Sequence, residues 1–195
     1  MKVIFGRTRS RRIVEYAFST CIVSGCLSAI GAPANAFVPL VRSIADRLDT
    51  AAQVALSKWD TGQAVCDPKR EAQVIANASV MAASLGLTTD DAANIFTDQI
   101  EASKEVQYAL LNTWRRDGGA PATPRQSLTD VIRPELDKLQ VSILQNLQDV
   151  GPLRSSADCQ ALVAIAVGKI AQEKALDTLR LVALDRATAH ICIRS

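Results

Sequence analysis

The residues best suited to chemistry lie between Arg47 and Gln107, within segments that are otherwise largely apolar. The polar and charged residues that stand out there are Arg47, Lys58, Asp67, Arg70, Glu71, Ser103 and Gln107. The space between packed helices does not accept unpaired cations, because a buried charge needs a partner. If these side chains point inward, they predict a site for a polar, anionic ligand.

The spacing of these residues indicates shared helix faces. Arg47 and Lys58 are eleven residues apart, which is close to three helical turns, so they lie on one face at roughly 16 Å along the axis. Gln99, Ser103 and Gln107 follow at intervals of four and predict a polar stripe on a later helix. The neighbouring Lys104 and Glu105 are expected to face solvent. Together the segments aim cations, a carboxylate and neutral hydrogen-bonding groups at one volume.

The set lacks the groups that most catalysis uses. The sequence has no CxxC or Cys/His metal spacing and no glycine-rich phosphate loop, and its one histidine, His190, is predicted to be structural or solvated. We therefore predict no metal site and no cofactor. Positioning and electrostatics remain, and they suit a unimolecular rearrangement of a small polyanion.

The elements that must hold these residues are predicted to be helices. Hydrophobic residues make up 48% of the chain and aromatic residues only 4%, a composition rich in good helix formers. The predicted helices run from Leu40 to about Trp59, from Pro68 to about Leu85, from Thr88 or Thr89 to about Arg116, from Leu128 to Val150, from Ser155 or Ser156 to about Ala171, and on to about His190. Gly62 and Gly86 are expected to end the first two, and Pro134 marks either a bend or the true start of the fourth. The sequence predicts an all-α, single-domain bundle of about six helices.

The first 36 residues are predicted to be a cleavable signal peptide. A basic stretch from Lys2 to Arg12 precedes an apolar stretch from Ala17 to Ile30, and Ala34-Asn35-Ala36 is typical of a cleavage site. A membrane anchor is the alternative. Loss of five basic and one acidic residues from the 22 and 20 of the whole chain leaves 17 and 19, a net charge of about −2. We therefore expect a periplasmic or secreted protein of residues 37–195 that binds neither nucleic acid nor, once cleaved, a membrane.

Three cysteines remain after the predicted cleavage: Cys66, Cys159 and Cys192. An exported protein meets an oxidising compartment, which favours a disulfide. Cys159 and Cys192 flank the last two predicted helices and are the natural pair. Cys66 is then left as a buried thiol or as a reactive thiol near the predicted site.

The segment Arg47…Lys58…Asp67-Pro-Lys-Arg70-Glu71…Gly86-Leu87…Gln99-Ile-Glu-Ala-Ser103-Lys-Glu-Val-Gln107 resembles the helical chorismate mutases. The signal peptide, the helices after Pro121 and the cysteine pair resemble the secreted, monofunctional subclass. The resemblance implies a chorismate mutase II-like fold and the Claisen rearrangement of chorismate to prephenate. It also implies a homodimer whose interface does not build the sites. Residues 37–120 would form the catalytic core, and residues 121–195 would complete the site and carry the disulfide.

The resemblance also implies a role for each site residue. Arg47, Arg70 and Arg133 would bind the substrate carboxylates with Ser103, and Arg133 would replace an arginine that other subclasses borrow from a partner subunit. Lys58 and Gln107 would donate hydrogen bonds to the ether oxygen. Glu71 would accept from the ring hydroxyl, with Asp67 nearby.

Two other functions are weighed against this one. The first is a lyase that removes pyruvate from isochorismate on the same fold. The paired Lys58 and Gln107 and the additional C-terminal helices argue against it. The second is a non-catalytic exported sensor or effector domain, which would require a degraded site.

Overall fold

The structure is a computed structural model that describes residues 34–193. Helices account for most of these residues. They are α1 (Val38–Asp49), α2 (Ala51–Thr61), α3 (Pro68–Ser84), α4 (Thr89–Asp117), α5 (Arg133–Asp149), α6 (Cys159–Glu173) and α7 (Thr178–Ala187). A π-helical turn (Leu128–Ile132) precedes α5, and a 3-10 turn (Gly151–Leu153) follows it. The described residues contain no strand. The all-α prediction is confirmed, and the helices number six if α1 and α2 are taken as one bent helix.

The predicted first helix, Leu40 to Trp59, is interrupted at Thr50. The Thr50 hydroxyl donates to the carbonyl oxygen of Arg47 at 2.8 Å, and the Thr50 amide bonds the same carbonyl at 3.3 Å. Such a bond from a threonine hydroxyl back to the preceding turn competes with the regular helical pattern. The prediction of one continuous helix was therefore wrong, although Thr50 itself keeps right-handed helical dihedral angles.

The ends of α2, α3 and α4 follow the local signals in the sequence. Gly62 ends α2 with φ of +69°, a conformation that favours glycine. The Asp67 carboxylate caps α3 by accepting from the Arg70 amide at 3.1 Å, and Thr88 caps α4 by accepting from the Asp91 amide at 3.1 Å. Gly86, with φ of +73°, follows the end of α3. These boundaries confirm the predicted positions to within a residue or two.

The later helices depart further from the prediction. Pro134 marks the true start of α5, since the helix begins at Arg133 and residues 128–132 form the π-helical turn. The predicted cap at Ser155 or Ser156 was wrong, because α6 begins at Cys159 after a run of tight turns in which the Cys159 amide bonds the Ser156 carbonyl. The last helix ends at Ala187 rather than near His190.

Helix α4 is the central element of the packing. It lies against α2, α3 and α7, while α1 packs on α5 and α6. Alanine, valine, leucine and isoleucine dominate the main core, with Phe37 and Phe96 fully buried within it. A second apolar cluster holds α2 against the C-terminal half of α4, where Trp59 and Trp114 meet edge to face with ring centroids 6.0 Å apart.

The cysteines pair as predicted. Cys159 and Cys192 form a disulfide with a Cα–Cα distance of 5.9 Å. Cys66 is a free, exposed thiol, so of its two predicted alternatives the buried thiol was wrong. The basic and apolar parts of the predicted signal peptide lie outside the described residues. Within residues 34–193, no helix is both long and apolar enough to cross a membrane.

Candidate active site

All eight residues predicted to bind substrate line one cavity of about 140 Å³ between α1, α2, α3, α4 and the start of α5. They are Arg47, Lys58, Asp67, Arg70, Glu71, Ser103, Gln107 and Arg133. Their elements are far apart in sequence, so only the packing of five helices brings these side chains together. The expectation that they converge is met by the geometry.

Arg47 is the most desolvated cation of the cavity. Only 6% of the residue is exposed, and its Nε has no hydrogen-bond partner among the described residues. Burial, and then the nearby charge of Arg70, lower the pKa of Arg47 to about 10. A guanidinium held in this way is destabilised until an anion reaches it. It is therefore suited to bind a carboxylate of a ligand.

Lys58 is aimed into the cavity from α2. Its Nζ donates to the carbonyl oxygen of Val65, in the loop that Gly62 starts after α2. Burial lowers the pKa of Lys58, and the carboxylates of Asp67 and Glu71 oppose that effect. Because an ammonium group has three hydrogens, Lys58 keeps donors for a ligand while it holds this loop.

The first turn of α3 supplies two carboxylates and one guanidinium. Glu71 Oε1 accepts from the backbone amide of Asp67 at 2.9 Å, while Asp67 accepts from the amide of Arg70. The Glu71 side chain thus bonds the backbone of Asp67, the Asp67 side chain bonds the backbone of Arg70, and together they fix the turn. The guanidinium of Arg70 lies 4.0 Å from the carboxylate of Asp137 on α5. The turn is therefore braced internally, and its guanidinium lies near the carboxylate of the opposite wall.

Ser103 and Gln107 form the polar part of α4 in the cavity. Gln107 is 4% exposed, and its Nε2 donates to the Ser103 hydroxyl at 3.0 Å. The predicted stripe does not extend to Gln99, whose Nε2 donates to the carbonyl oxygen of Ala187 at 2.6 Å. Since four residues exceed one turn of 3.6 residues, each step of four rotates by about 40°. Two steps therefore place Gln99 against α7 instead of in the cavity.

Two further residues of the cavity, Lys104 and Asp137, were not predicted. Lys104 was predicted to face solvent, but it lines the cavity with only 16% of its side chain exposed. Glu105 is exposed as expected. Asp137 lies one turn after Arg133 on α5 and also lines the cavity. The i, i+4 spacing of Arg133 and Asp137 was the available signal for Asp137, whereas nothing local distinguished Lys104.

The charges of the cavity are matched to an anion. Among the described residues that line it, five are cationic (Arg47, Lys58, Arg70, Lys104 and Arg133) and three are anionic (Asp67, Glu71 and Asp137). The excess of two positive charges fits a dianion. These lining residues include no histidine or cysteine, so the arrangement offers charge stabilisation and orientation in place of a nucleophile or an imidazole base.

Comparisons with known proteins agree on one family. The model of the family described as chorismate mutase type II matches residues 39–108. A solved chorismate mutase from Burkholderia phymatum is 71% identical, covers 84% of this chain and all of its own, and superposes with a TM-score of 0.83. The chain belongs to the chorismate mutase type II family. A solved chorismate mutase from Burkholderia thailandensis is 34% identical over 81% of this chain and 99% of its own, with a TM-score of 0.77.

One curated relative extends the likeness over most of the chain. The secreted chorismate mutase of Mycolicibacterium smegmatis is 29% identical over an alignment of 177 residues that covers 88% of this chain and 97% of that protein. The family match itself spans α1 to α4 as far as residue 108. It therefore contains seven of the eight predicted site residues, and Arg133 on α5 lies beyond it.

Proposed function

We propose that this chorismate mutase rearranges chorismate to prephenate by holding the dianion in its reactive conformation and stabilising the charge of the transition state. One observation carries the proposal: eight residues from five helices converge on one cavity whose lining has two positive charges in excess. The reaction breaks the C–O bond of the enol ether as a C–C bond forms, so it needs no nucleophile, no proton transfer and no cofactor.

Three arginines are proposed to bind the two carboxylates of chorismate. Arg47 supports this role because it is buried with an unpartnered Nε. Arg70 and Arg133 face it from α3 and α5, and the Ser103 hydroxyl would add a neutral contact. Arginine suits carboxylates because its planar fork matches them with two parallel hydrogen bonds. Since Arg133 belongs to the same chain, each site would be complete without a partner subunit.

Lys58 and Gln107 are proposed to stabilise the ether oxygen, where negative charge grows as the C–O bond breaks. Lys58 uses one of its three ammonium hydrogens on Val65 and has two left. The amide nitrogen of Gln107 has one hydrogen left beyond its bond to Ser103. Both donors are held before substrate arrives, so they cost little reorganisation during the reaction.

Glu71 is proposed to accept a hydrogen bond from the ring hydroxyl, with Asp67 beside it. Its support is the fixed position of the carboxylate: the Asp67 amide holds one oxygen at 2.9 Å. An acceptor on a rigid helix turn restricts the ring to one orientation. That restriction supplies part of the entropic gain in rate.

The protein is proposed to be exported through a Sec-type signal peptide that is cleaved after Ala36. The name of the mycolicibacterial relative, a secreted chorismate mutase, supports export. The disulfide between Cys159 and Cys192 suits an oxidising compartment. Cleavage there would make Phe37 the first residue, with its side chain in the core. A homodimer with sites built within each chain is proposed as well.

The proposed function is tested by assaying the purified enzyme with chorismate. The full chain would be expressed in a bacterium, the exported form purified, and its intact mass compared with that of residues 37–195. Loss of the ultraviolet absorbance of chorismate, with prephenate identified by mass, would measure turnover beside Lys58→Ala. We expect Lys58→Ala to lower kcat by on the order of a hundredfold or more. Release of pyruvate in a parallel assay with isochorismate would indicate the lyase, and binding of chorismate without turnover would indicate a sensor or effector.

A further inference from the structure

Lys104 lies on α4 between the two polar residues assigned to the substrate, and it contacts two carboxylates. Its Nζ is 2.8 Å from Glu101 Oε1, one turn earlier on the same helix. It is also 3.3 Å from Glu71 Oε2 on α3. The side chain is 16% exposed and lines the cavity. Lys104 therefore joins α4 to the first turn of α3 at the wall of the active site.

The two oxygens of Glu71 have different partners. The Asp67 amide holds Oε1 at 2.9 Å, and Lys104 holds Oε2 at 3.3 Å. A carboxylate bound by only one oxygen can rotate about its last side-chain bond, whereas one bound by both is fixed in its plane. We propose that Lys104 is a positioning residue that orients Glu71 for the ring hydroxyl of chorismate. This inference rests on the proposed function of the site.

Lys104 also affects the charge balance of the cavity. Glu71 places a negative charge in a cavity that is proposed to bind a dianion, and like charges at close range repel. The ammonium of Lys104 offsets that repulsion. Without it, the lining would keep four cationic and three anionic side chains instead of five and three.

The burial of this ion pair separates it from an ordinary surface contact. Lys138 and Glu135 on α5 form an i, i+3 pair at 3.9 Å with side chains 77% and 52% exposed. Exposed pairs of this kind contribute little. Lys104 and Glu71 have side chains 16% and 22% exposed. Lys138→Met is therefore a matched control, because it removes a helical lysine from an ion pair outside the cavity.

Substitution of Lys104 should change the rate of the reaction more than the stability of the fold. Lys104→Met should lower kcat/KM about tenfold, since slight misplacement of a substrate-orienting group is costly. Lys104→Arg, which keeps the cation, should recover most of that loss. Lys138→Met should stay within about twofold of wild type. Thermal melting of each variant would show that it is folded, and Lys104→Gln would replace Lys104→Met if that variant melts early.

A double-mutant cycle with Glu71→Gln decides how Lys104 acts. If it acts through Glu71, Lys104→Met should change kcat/KM by less than about twofold once Glu71→Gln is present. The same tenfold loss in both backgrounds would show that Lys104 contacts substrate by itself, and wild-type activity in Lys104→Met would show that it contributes nothing. Either result overturns the inference. A wild-type enzyme that leaves chorismate unchanged would instead refute the proposed function, so the two failures are distinguishable.

Discussion

Gln107 sets how the activity should respond to pH. A glutamine amide donates without being protonated, so wild-type kcat/KM should stay nearly flat from mildly acidic to mildly basic pH. The alkaline limit should come from Lys58, whose pKa burial lowers from 10.5. Lys58 therefore loses its donating charge earlier than an exposed lysine would as pH rises. Arg47, with a pKa of about 10, adds to that loss.

Gln107→Glu tests this assignment. A glutamate must be protonated to donate to the ether oxygen, and burial at this position favours the neutral form and raises its pKa. The variant should be most active at acidic pH and should lose activity as pH rises through that pKa. Profiles of kcat/KM from about pH 5 to about pH 9 would compare the two proteins, because this range lies above the ordinary glutamate pKa of about 4.3 and includes neutrality. A wild-type profile that loses activity with rising pH as steeply as that of Gln107→Glu would refute the role of Gln107.

A site residue could be predicted where its position depends on the residue spacing within one helix. Helical spacing predicts which side chains on one helix share a face, and it predicted Ser103 with Gln107. Arg47 and Lys58 also meet at the cavity, but they reach it from α1 and α2 and not from one continuous helix as predicted. Helical spacing failed for Lys104, because the partner that draws this side chain into the cavity, Glu71, is 33 residues away. Gln99 was misplaced for a different reason: two steps of four residues rotate its side chain by about 80° from that of Gln107, so it bonds a carbonyl group on α7.

At the scale of the elements, the caps of α3 and α4 offer a matched pair of substitutions. Asp67 and Thr88 each accept one backbone amide hydrogen bond at 3.1 Å. Thr88→Ala and Asp67→Ala should each lower the free energy of unfolding by about 1 kcal/mol. Only Asp67→Ala should also lower kcat/KM, because Asp67 lines the cavity and its turn holds Glu71. Urea unfolding and steady-state kinetics would separate the effects, and equal activities would show that the turn does not position substrate.

Element boundaries were predicted well where a cap or a glycine decides them, as at Gly62, Asp67 and Thr88. They were predicted poorly where two hydrogen-bond patterns compete. The break at Thr50 depends on whether its hydroxyl bonds the carbonyl of Arg47. The start of α6 depends on successive tight turns through residues 151–158. In both places the apolar periodicity is compatible with a longer helix, so it cannot predict the interruption.

At the scale of the whole molecule, the site and the covalent link lie in different parts of the bundle. The cavity is built by α1 to α5, while the disulfide closes a 33-residue span around α6 and α7. The sequence predicted this pair because, of the three cysteines after the predicted cleavage site, Cys159 and Cys192 flank the last two predicted helices. It did not predict that α7 packs against α4, because no local pattern specifies which helices become neighbours.

This separation predicts that loss of the disulfide weakens the protein without disabling it. Closing a loop of this length stabilises by roughly 3–4 kcal/mol in the chain-entropy model, so Cys159→Ser with Cys192→Ser should lower Tm by on the order of 10 °C. The C-terminal segment should stay docked at 25 °C, because two groups of the buried Arg154 hold it. The Arg154 side chain donates to the Ile191 carbonyl at 2.6 Å, and the Arg154 backbone carbonyl accepts from the Ile193 amide at 2.9 Å. Calorimetry and kinetics would compare this variant with Cys66→Ser, which removes only a free thiol. A large fall in kcat at 25 °C would mean that α6 and α7 shape the active site through α4.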